Sequence, residues 1–173
     1  LFSVLRVKHI KKVYGHSSLS KMLKVSCLPG YVSDYFTKIG VPKIKDRKIN
    51  ISYRSRFLPA ELGKFAQEKI RLGIELKKMC HISKLLCDIS VLDQDRVYGN
   101  EWIDLHNKSK TMFAAPGGAS LFDFSGEALK KVTYLKENNP NLSEVEIIDQ
   151  HLCDLDGNII HKQPTPRMFE AIA

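Results

Sequence analysis

The sequence lacks any long hydrophobic run: no stretch of about 18 uncharged apolar residues occurs, which argues against a membrane-spanning helix. Aromatic residues are sparse, at 9% of 173 residues with a single Trp. Hydrophobic residues make up 43% and charged residues 27%, which is usual for globular proteins and too apolar for a disordered chain. The length suits one domain, or one domain with an extension.

Several catalytic and ligand-binding motifs are also absent. The chain has no Walker loop, no Gly-x-Gly-x-x-Gly, no Gly-x-Ser-x-Gly and no Cys-x2-Cys pair. A zinc site would need convergence of Cys80, Cys87, His151 and Cys153, and on an unbroken helix Cys80 and Cys87 would lie two turns apart. We therefore expect free thiols, no metal and no cofactor.

Acidic residues are missing from the first 33 positions, and the first acidic residue of the chain is Asp34. Residues 1–60 carry 13 basic and 2 acidic side chains, a net charge of +11, whereas residues 61–110 carry +1 and residues 111–173 carry −4. The overall charge of +8 thus comes from the first third. This asymmetry predicts a basic arm that meets a polyanion. A transit peptide shares this composition, but we expect a retained arm. The other interpretation is a solvated basic face.

The patterning predicts an α+β fold that is mainly helical, with a basic N-terminal extension, one long central helix and a C-terminal β-hairpin. Residues 48–57 alternate between apolar and polar side chains, which indicates a strand whose far face is basic. Helical spacing runs through residues 59–89. Asp156-Gly157 indicates a hairpin turn. Ser143 and Glu146 fit a capping box, although residues 145–153 could equally form a strand.

Two parts follow from these patterns. Residues 1–58 form a basic, acid-poor N-terminal arm with one strand and short helices at residues 17–27 and 33–39. Residues 59–173 form a small mixed α/β body with a hinge at residues 114–120 and an extended tail after Gln163. If this body is self-sufficient, a chain that begins near Pro59 should fold alone and lose its affinity for polyanions.

Nucleic-acid binding is the chemistry that the residues favour most. Lys and Arg neutralise phosphates, and Arg can pair with them bidentately. The pattern matches no named RNA-binding module and indicates no sequence specificity. The candidate nucleic-acid-binding residues are Arg6, Lys8, Lys11, Lys12, Lys43, Lys45, Arg47, Lys48, Arg54 and Arg56.

At the level of class, a basic arm on a small mixed body is similar to accessory proteins of ribosomes, especially organellar ones. This resemblance implies a non-catalytic structural component of a large ribonucleoprotein, in particular a mitochondrial ribosomal protein on the matrix side that contacts rRNA and neighbouring proteins. One alternative is an accessory subunit of a mitochondrial ATP synthase or respiratory complex, docked through its arm on acidic protein or anionic lipid. Another is a small enzyme with no recognisable motif.

Overall fold

A computed structural model describes residues 2–3, 5, 7–15, 21–28, 30–38 and 40–172. The chain divides into two compact units, each built from three segments. Unit 1 comprises Leu1–Pro29, Leu58–Gln67 and Gly117–Pro164, and unit 2 comprises Gly30–Phe57, Glu68–Pro116 and Thr165–Ala173. Helix predominates over strand, so the predicted α+β, mainly helical class is confirmed. None of the helices in the described ranges is long and apolar enough to cross a membrane.

The described helices are α1 (Val7–Tyr14), α2 (Asp34–Lys38), α3 (Lys64–Ile82), α4 (Gly99–Lys108), α5 (Glu127–Asn138), α6 (Glu144–His151) and α7 (Pro166–Ile172). The strands are β1 (Phe2–Ser3), β2 (Val25–Ser26), β3 (Ile49–Arg54), β4 (Cys87–Ser90), β5 (Ser109–Met112), β6 (Gly117–Ala119) and β7 (His161–Gln163). Short 3-10 helices cover Ile44–Asp46, Ala60–Leu62 and Asp93–Asp95.

Unit 2 is built on a parallel three-stranded sheet in the order β4-β3-β5. Helix α3 connects β3 to β4, and α4 connects β4 to β5 on the far side of β3. Crossovers between parallel strands are right-handed as a rule. The β3-to-β4 and β4-to-β5 crossovers run in opposite directions along the sheet, so this rule places α3 and α4 on opposite faces. The core joins Tyr53 of β3 to Cys80 of α3 and Ile89 of β4.

The predicted strand is confirmed as β3, but the predicted basic far face is wrong. Ser52 is as fully buried as its neighbour Tyr53, because a central parallel strand is covered on both faces. The polar side chains of this face bond to neighbouring segments. Asn50 accepts a hydrogen bond from the Leu86 amide at 3.0 Å, and Arg54 pairs with Asp88.

The predicted long helix is confirmed as α3, but it ends at Ile82 rather than at residue 89. Its 19 residues give a length of about 28 Å at the usual rise of about 1.5 Å per residue. Lys84 adopts a left-handed conformation with φ of 53°, and the Leu85 amide bonds back to the Cys80 carbonyl at 2.9 Å. This closure ends the helix and releases the following residues into β4.

Unit 1 packs α5 and α6 against the 3-10 helix Ala60–Leu62, with Ile147 and Ile148 fully buried between them. The capping box is confirmed: the Ser143 hydroxyl accepts from the Glu146 amide at 3.2 Å, and the Glu146 carboxylate accepts from the Ser143 amide at 2.8 Å. The C-terminal antiparallel strand pair is present. Its strands are β6 and β7, and the expected turn at Asp156-Gly157 does not join them directly, because residues 153–157 form turns after α6 and β6 lies much earlier in the chain.

The ends of the chain differ in part from the sequence expectations. The helix expected over residues 33–39 is confirmed as α2, whose bounds are Asp34–Lys38. Of the helix expected over residues 17–27, residues 17–20 lie outside the described residues, and Val25–Ser26 is instead strand β2, paired in parallel with β1. The tail expected to be extended contains α7.

The division into an arm and a body at residue 58 concerns which part folds alone, and it stays a prediction. The structure shows that β3, from the predicted arm, is the central strand of the sheet whose other strands come from the predicted body. One passage of the chain between the units, at Pro116 and Gly117, falls within the predicted hinge segment.

Candidate functional site

Three of the predicted nucleic-acid-binding residues lie on α1 in unit 1. Its apolar side buries Ile10, whereas Lys8, Lys11 and Lys12 are exposed. The Lys12 ammonium donates to the Asn158 carbonyl at 2.7 Å. Within the described ranges neither Lys8 nor Lys11 has a carboxylate at ion-pair distance. Arg6 lies outside the described residues.

Four more predicted residues precede β3 in unit 2, at the amino end of the sheet. Lys43, Lys45 and Lys48 are exposed. Arg47 is half-buried, and its guanidinium donates to the Pro42 carbonyl at 3.1 Å and to the Ser109 carbonyl at 3.0 Å. Arg47 therefore fastens this segment to β5, while the three lysines point their charge at solvent.

Arg54 and Arg56 lie at the opposite, carboxyl end of β3. The Arg54 guanidinium is largely buried, pairs with the Asp88 carboxylate at 2.8 Å and donates to the Asp88 carbonyl at 3.0 Å. Arg56 is exposed. A strand of six residues is about 20 Å long at a rise of about 3.3 Å per residue, so it separates these arginines from Lys43, Lys45 and Lys48. The basic segment therefore forms two groups instead of one patch.

Arg167, which no pattern in the sequence singled out, is brought by α7 to the carboxyl end of β3. Its guanidinium donates to the Arg54 carbonyl and lies 5.6 Å from the ring centroids of both Tyr53 and Trp102. Such contacts are cation–π interactions. Burial lowers the pKa of Arg167. Pro166, a residue favoured at the first position of a helix, was the sequence signal that could have revealed α7.

Lys69 completes a set of four cations at this end of the sheet, which we call the Arg167 cluster: Arg54, Arg56, Lys69 and Arg167. The Tyr53 hydroxyl donates to the Lys69 carbonyl at 3.0 Å. This bond holds α3 beside the Tyr53 ring, over which Arg167 lies. Burial lowers the pKa of Lys69, and the positive charges of Arg167 and Arg56 lower it further. The cluster therefore concentrates positive charge in a half-buried place.

His106 lies on the same unit, next to a small cavity of about 70 Å³. Its ring makes edge contacts with Trp102 at 4.6 Å and with Phe36 at 5.9 Å between centroids. Burial, together with the charges of Arg167 and Arg47, lowers the pKa of His106 to about 4. The neutral imidazole can therefore act as a hydrogen-bonding group near pH 7, but it carries no charge there. The cavity is lined by Phe36, Val41, Arg47, Ile103, His106, Asn107, Glu170 and Ala171.

The cysteines are free thiols and differ in exposure. Because α3 ends at Ile82, Cys80 and Cys87 are not two helical turns apart; their thiols touch, and burial raises the pKa of Cys80. His151 and Cys153 belong to unit 1, where the Cys153 thiol is exposed. Across the described part of the chain, no three His, Cys, Asp or Glu side chains group closely enough to hold a metal ion.

We expect thiol alkylation of the native chain to be selective. Cys27 and Cys153 are exposed and should react first, whereas Cys80 should react at least about tenfold more slowly, because attack needs an accessible thiolate. Mass spectrometry of maleimide-treated protein measures the order, and urea-unfolded protein, with all four thiols modified, is the control. Equal rates at Cys80 and Cys153 would contradict the packing of α3 on β4.

Comparison with protein-family models, with curated proteins and with solved structures finds no match for this chain.

Proposed function

We propose that the chain is a non-catalytic structural component of a large ribonucleoprotein and that it contacts RNA through lysines of its first sixty residues. In its specific form, the proposal is a mitochondrial ribosomal protein, on the matrix side, whose partners are rRNA and neighbouring proteins. The observation that carries it is the exposure of five lysines from this region without acidic partners.

These exposed lysines fall into two groups. Lys8 and Lys11 lie on α1, and Lys43, Lys45 and Lys48 lie before β3. Throughout the described ranges, none of the five forms an ion pair. Cations that the protein does not itself neutralise can release the counterions of a nucleic acid, which is the main source of affinity in sequence-independent binding.

Exposed apolar side chains in the same region support a place within an assembly. Leu28, Tyr31, Ile44 and Phe57 are each more than half exposed, although they are large and apolar. Burial of these side chains by a partner would be favourable, because apolar surface gains free energy on leaving water. This composition fits a protein held between RNA and protein neighbours.

Charge reversal of the lysines before β3 should weaken RNA binding specifically. We expect the triple variant K43E/K45E/K48E to lose affinity for single-stranded RNA. The log–log salt slope should become shallower by about 2, because each neutralised phosphate contributes about 0.7. Filter binding or fluorescence anisotropy between about 50 and 200 mM salt measures both quantities.

The matched control is K77E/K78E/K130E, which makes the same change in net charge at exposed lysines beyond residue 60. It should retain most of the affinity and the slope. Equal losses in the two triple variants would mean that net charge alone attracts RNA, and absence of RNA binding by the natural chain at low salt would overturn the proposal. In that case binding of the same lysines to anionic vesicles or to an acidic protein would favour the accessory subunit of a respiratory assembly.

A further inference from the structure

The Arg167 cluster lies at the carboxyl edge of the unit 2 sheet, where the strand order reverses. The sheet has the order β4-β3-β5. From β3 the chain goes to β4 on one side, and from β4 it crosses to β5 on the other side of β3. The strand order therefore reverses between β3 and β5. Ligands of open parallel sheets bind outside the carboxyl ends of the strands at such a reversal. Arg54 is the last residue of β3, and Trp102 lies in the first turn of α4. Arg167 contacts both residues, because its guanidinium donates to the Arg54 carbonyl and lies over the Trp102 ring.

The cluster holds four cations, and the carboxylates of Asp88 and Glu170 beside it offset only part of that charge. Asp88 pairs with Arg54, and the Glu170 carboxylate accepts a hydrogen bond from the Trp102 indole at 2.9 Å. In the described part of the chain, Arg56, Lys69 and Arg167 have no carboxylate within ion-pair distance. Repulsion between like charges in a half-buried place destabilises the fold unless an anion offsets it.

Hydrogen-bonding capacity remains in the cluster as well. The Arg54 Nε is buried and has no hydrogen-bond partner among the described residues. A buried donor without a partner destabilises the fold, so such donors are rare in native proteins and often mark a place for a water or an ion. A purely structural role would explain the stacking of Arg167 on Tyr53 and Trp102. It would not explain why Lys69 and Arg56 lie beside it.

We propose that the Arg167 cluster is a phosphate-binding site at the carboxyl edge of the unit 2 sheet. Guanidinium groups pair bidentately with phosphate oxygens, and the Lys69 ammonium adds a point charge. Phosphate is the ligand class that fits, because it is anionic and carries more than one acceptor oxygen for the guanidinium and ammonium donors. The phosphate group can belong to an RNA backbone or to a small phosphorylated molecule, so this proposal does not depend on the RNA-binding proposal.

Trp102 makes the test specific, because it is the single tryptophan of the chain and lies against Arg167. The full-length protein is titrated with pyrophosphate at constant ionic strength, and the emission of Trp102 is followed. We expect a saturable change. The variant R56Q/K69M should weaken the apparent affinity by about tenfold or more, because it removes two of the positive charges. It keeps the side-chain hydrogen bonds described for the cluster, including the one from the Tyr53 hydroxyl to the Lys69 carbonyl. R167K, which keeps the charge but loses the planar fork, should also weaken binding.

The matched control is K77M/K78Q, which removes two exposed lysines of the same unit and should bind as the natural chain does. No saturable response to pyrophosphate, or an unchanged response in R56Q/K69M, would overturn the proposal whether or not the protein binds RNA. Once pyrophosphate binding is seen, competition by a single-stranded oligoribonucleotide assigns the phosphate to RNA, and binding without such competition assigns it to a small molecule. Loss of RNA binding in K43E/K45E/K48E alone would leave the phosphate site intact.

Discussion

Removal of residues 1–58 should abolish the sheet of unit 2. Strands β4 and β5 pair with β3 and not with each other, so without Ile49–Arg54 neither has a neighbour on the described sheet. Tyr53, which is fully buried in the unit 2 core, is lost with them. We expect residues 59–173 to show no near-ultraviolet circular dichroism from Trp102 and no cooperative unfolding of this unit.

Removal of residues 1–29 is the matched control, because it leaves all three segments of unit 2 in place while it deletes α1 from unit 1. That shorter deletion should keep the Trp102 signal. The opposite result, a native Trp102 signal and a cooperative transition in residues 59–173, would show that the predicted body is self-sufficient and that β3 is dispensable.

The features that the sequence predicted correctly depend on signals within a few residues. The period of two over residues 48–57 located β3, and Ser143 with Glu146 located the start of α6. The helical spacing after Pro59 located α3. In the helices the hydrogen bonds join residues near in sequence, and in β3 the alternation of apolar and polar residues is itself the signal of a strand.

The features that could not be predicted depend on contacts between distant segments. Alternation over β3 predicted a basic far face. Ser52 on that face is small enough to be covered, and Arg54 pairs with Asp88, 34 positions later in the chain. The contact of Cys80 with Cys87 depends on where α3 ends. Arg167 reaches Arg54 from a sequence separation of 113 residues, and no local pattern records that approach.

His106 should make the stability of unit 2 depend on pH between its ordinary pKa of 6.5 and its folded pKa of about 4. The positive groups that face it are Arg47, before β3, and Arg167, on α7, and Glu170 of α7 lines the same cavity. Burial and these arginines disfavour the imidazolium in the folded chain, whereas the unfolded chain takes up the proton freely below pH 6.5.

The direction in which stability changes with pH follows from proton uptake by the two states. Between pH 6.5 and about 4 the unfolded state binds more protons than the folded state, so the stability conferred by neutral His106 is complete above pH 6.5 and is lost as the pH falls towards 4. Each pH unit of separation is worth about 1.36 kcal/mol, so the separation between 6.5 and about 4 corresponds to about 3.4 kcal/mol. Solvent screening at the partly exposed ring reduces the expected loss to about 2–3 kcal/mol. That is a large part of the stability of a small domain.

Urea unfolding of the full chain at pH values between about 7 and 4, followed through Trp102, measures this loss. The H106Q variant should be less sensitive to pH in this window by about one proton, because glutamine fills a similar volume and does not titrate. H81Q, which replaces an exposed histidine of the same unit, is the matched control and should leave the profile as it is in the natural chain. If the difference in stability between the natural chain and H106Q stayed constant from pH 7 to pH 4, then His106 would titrate alike in the folded and unfolded states. The arginines around it would then exert no effect on its charge.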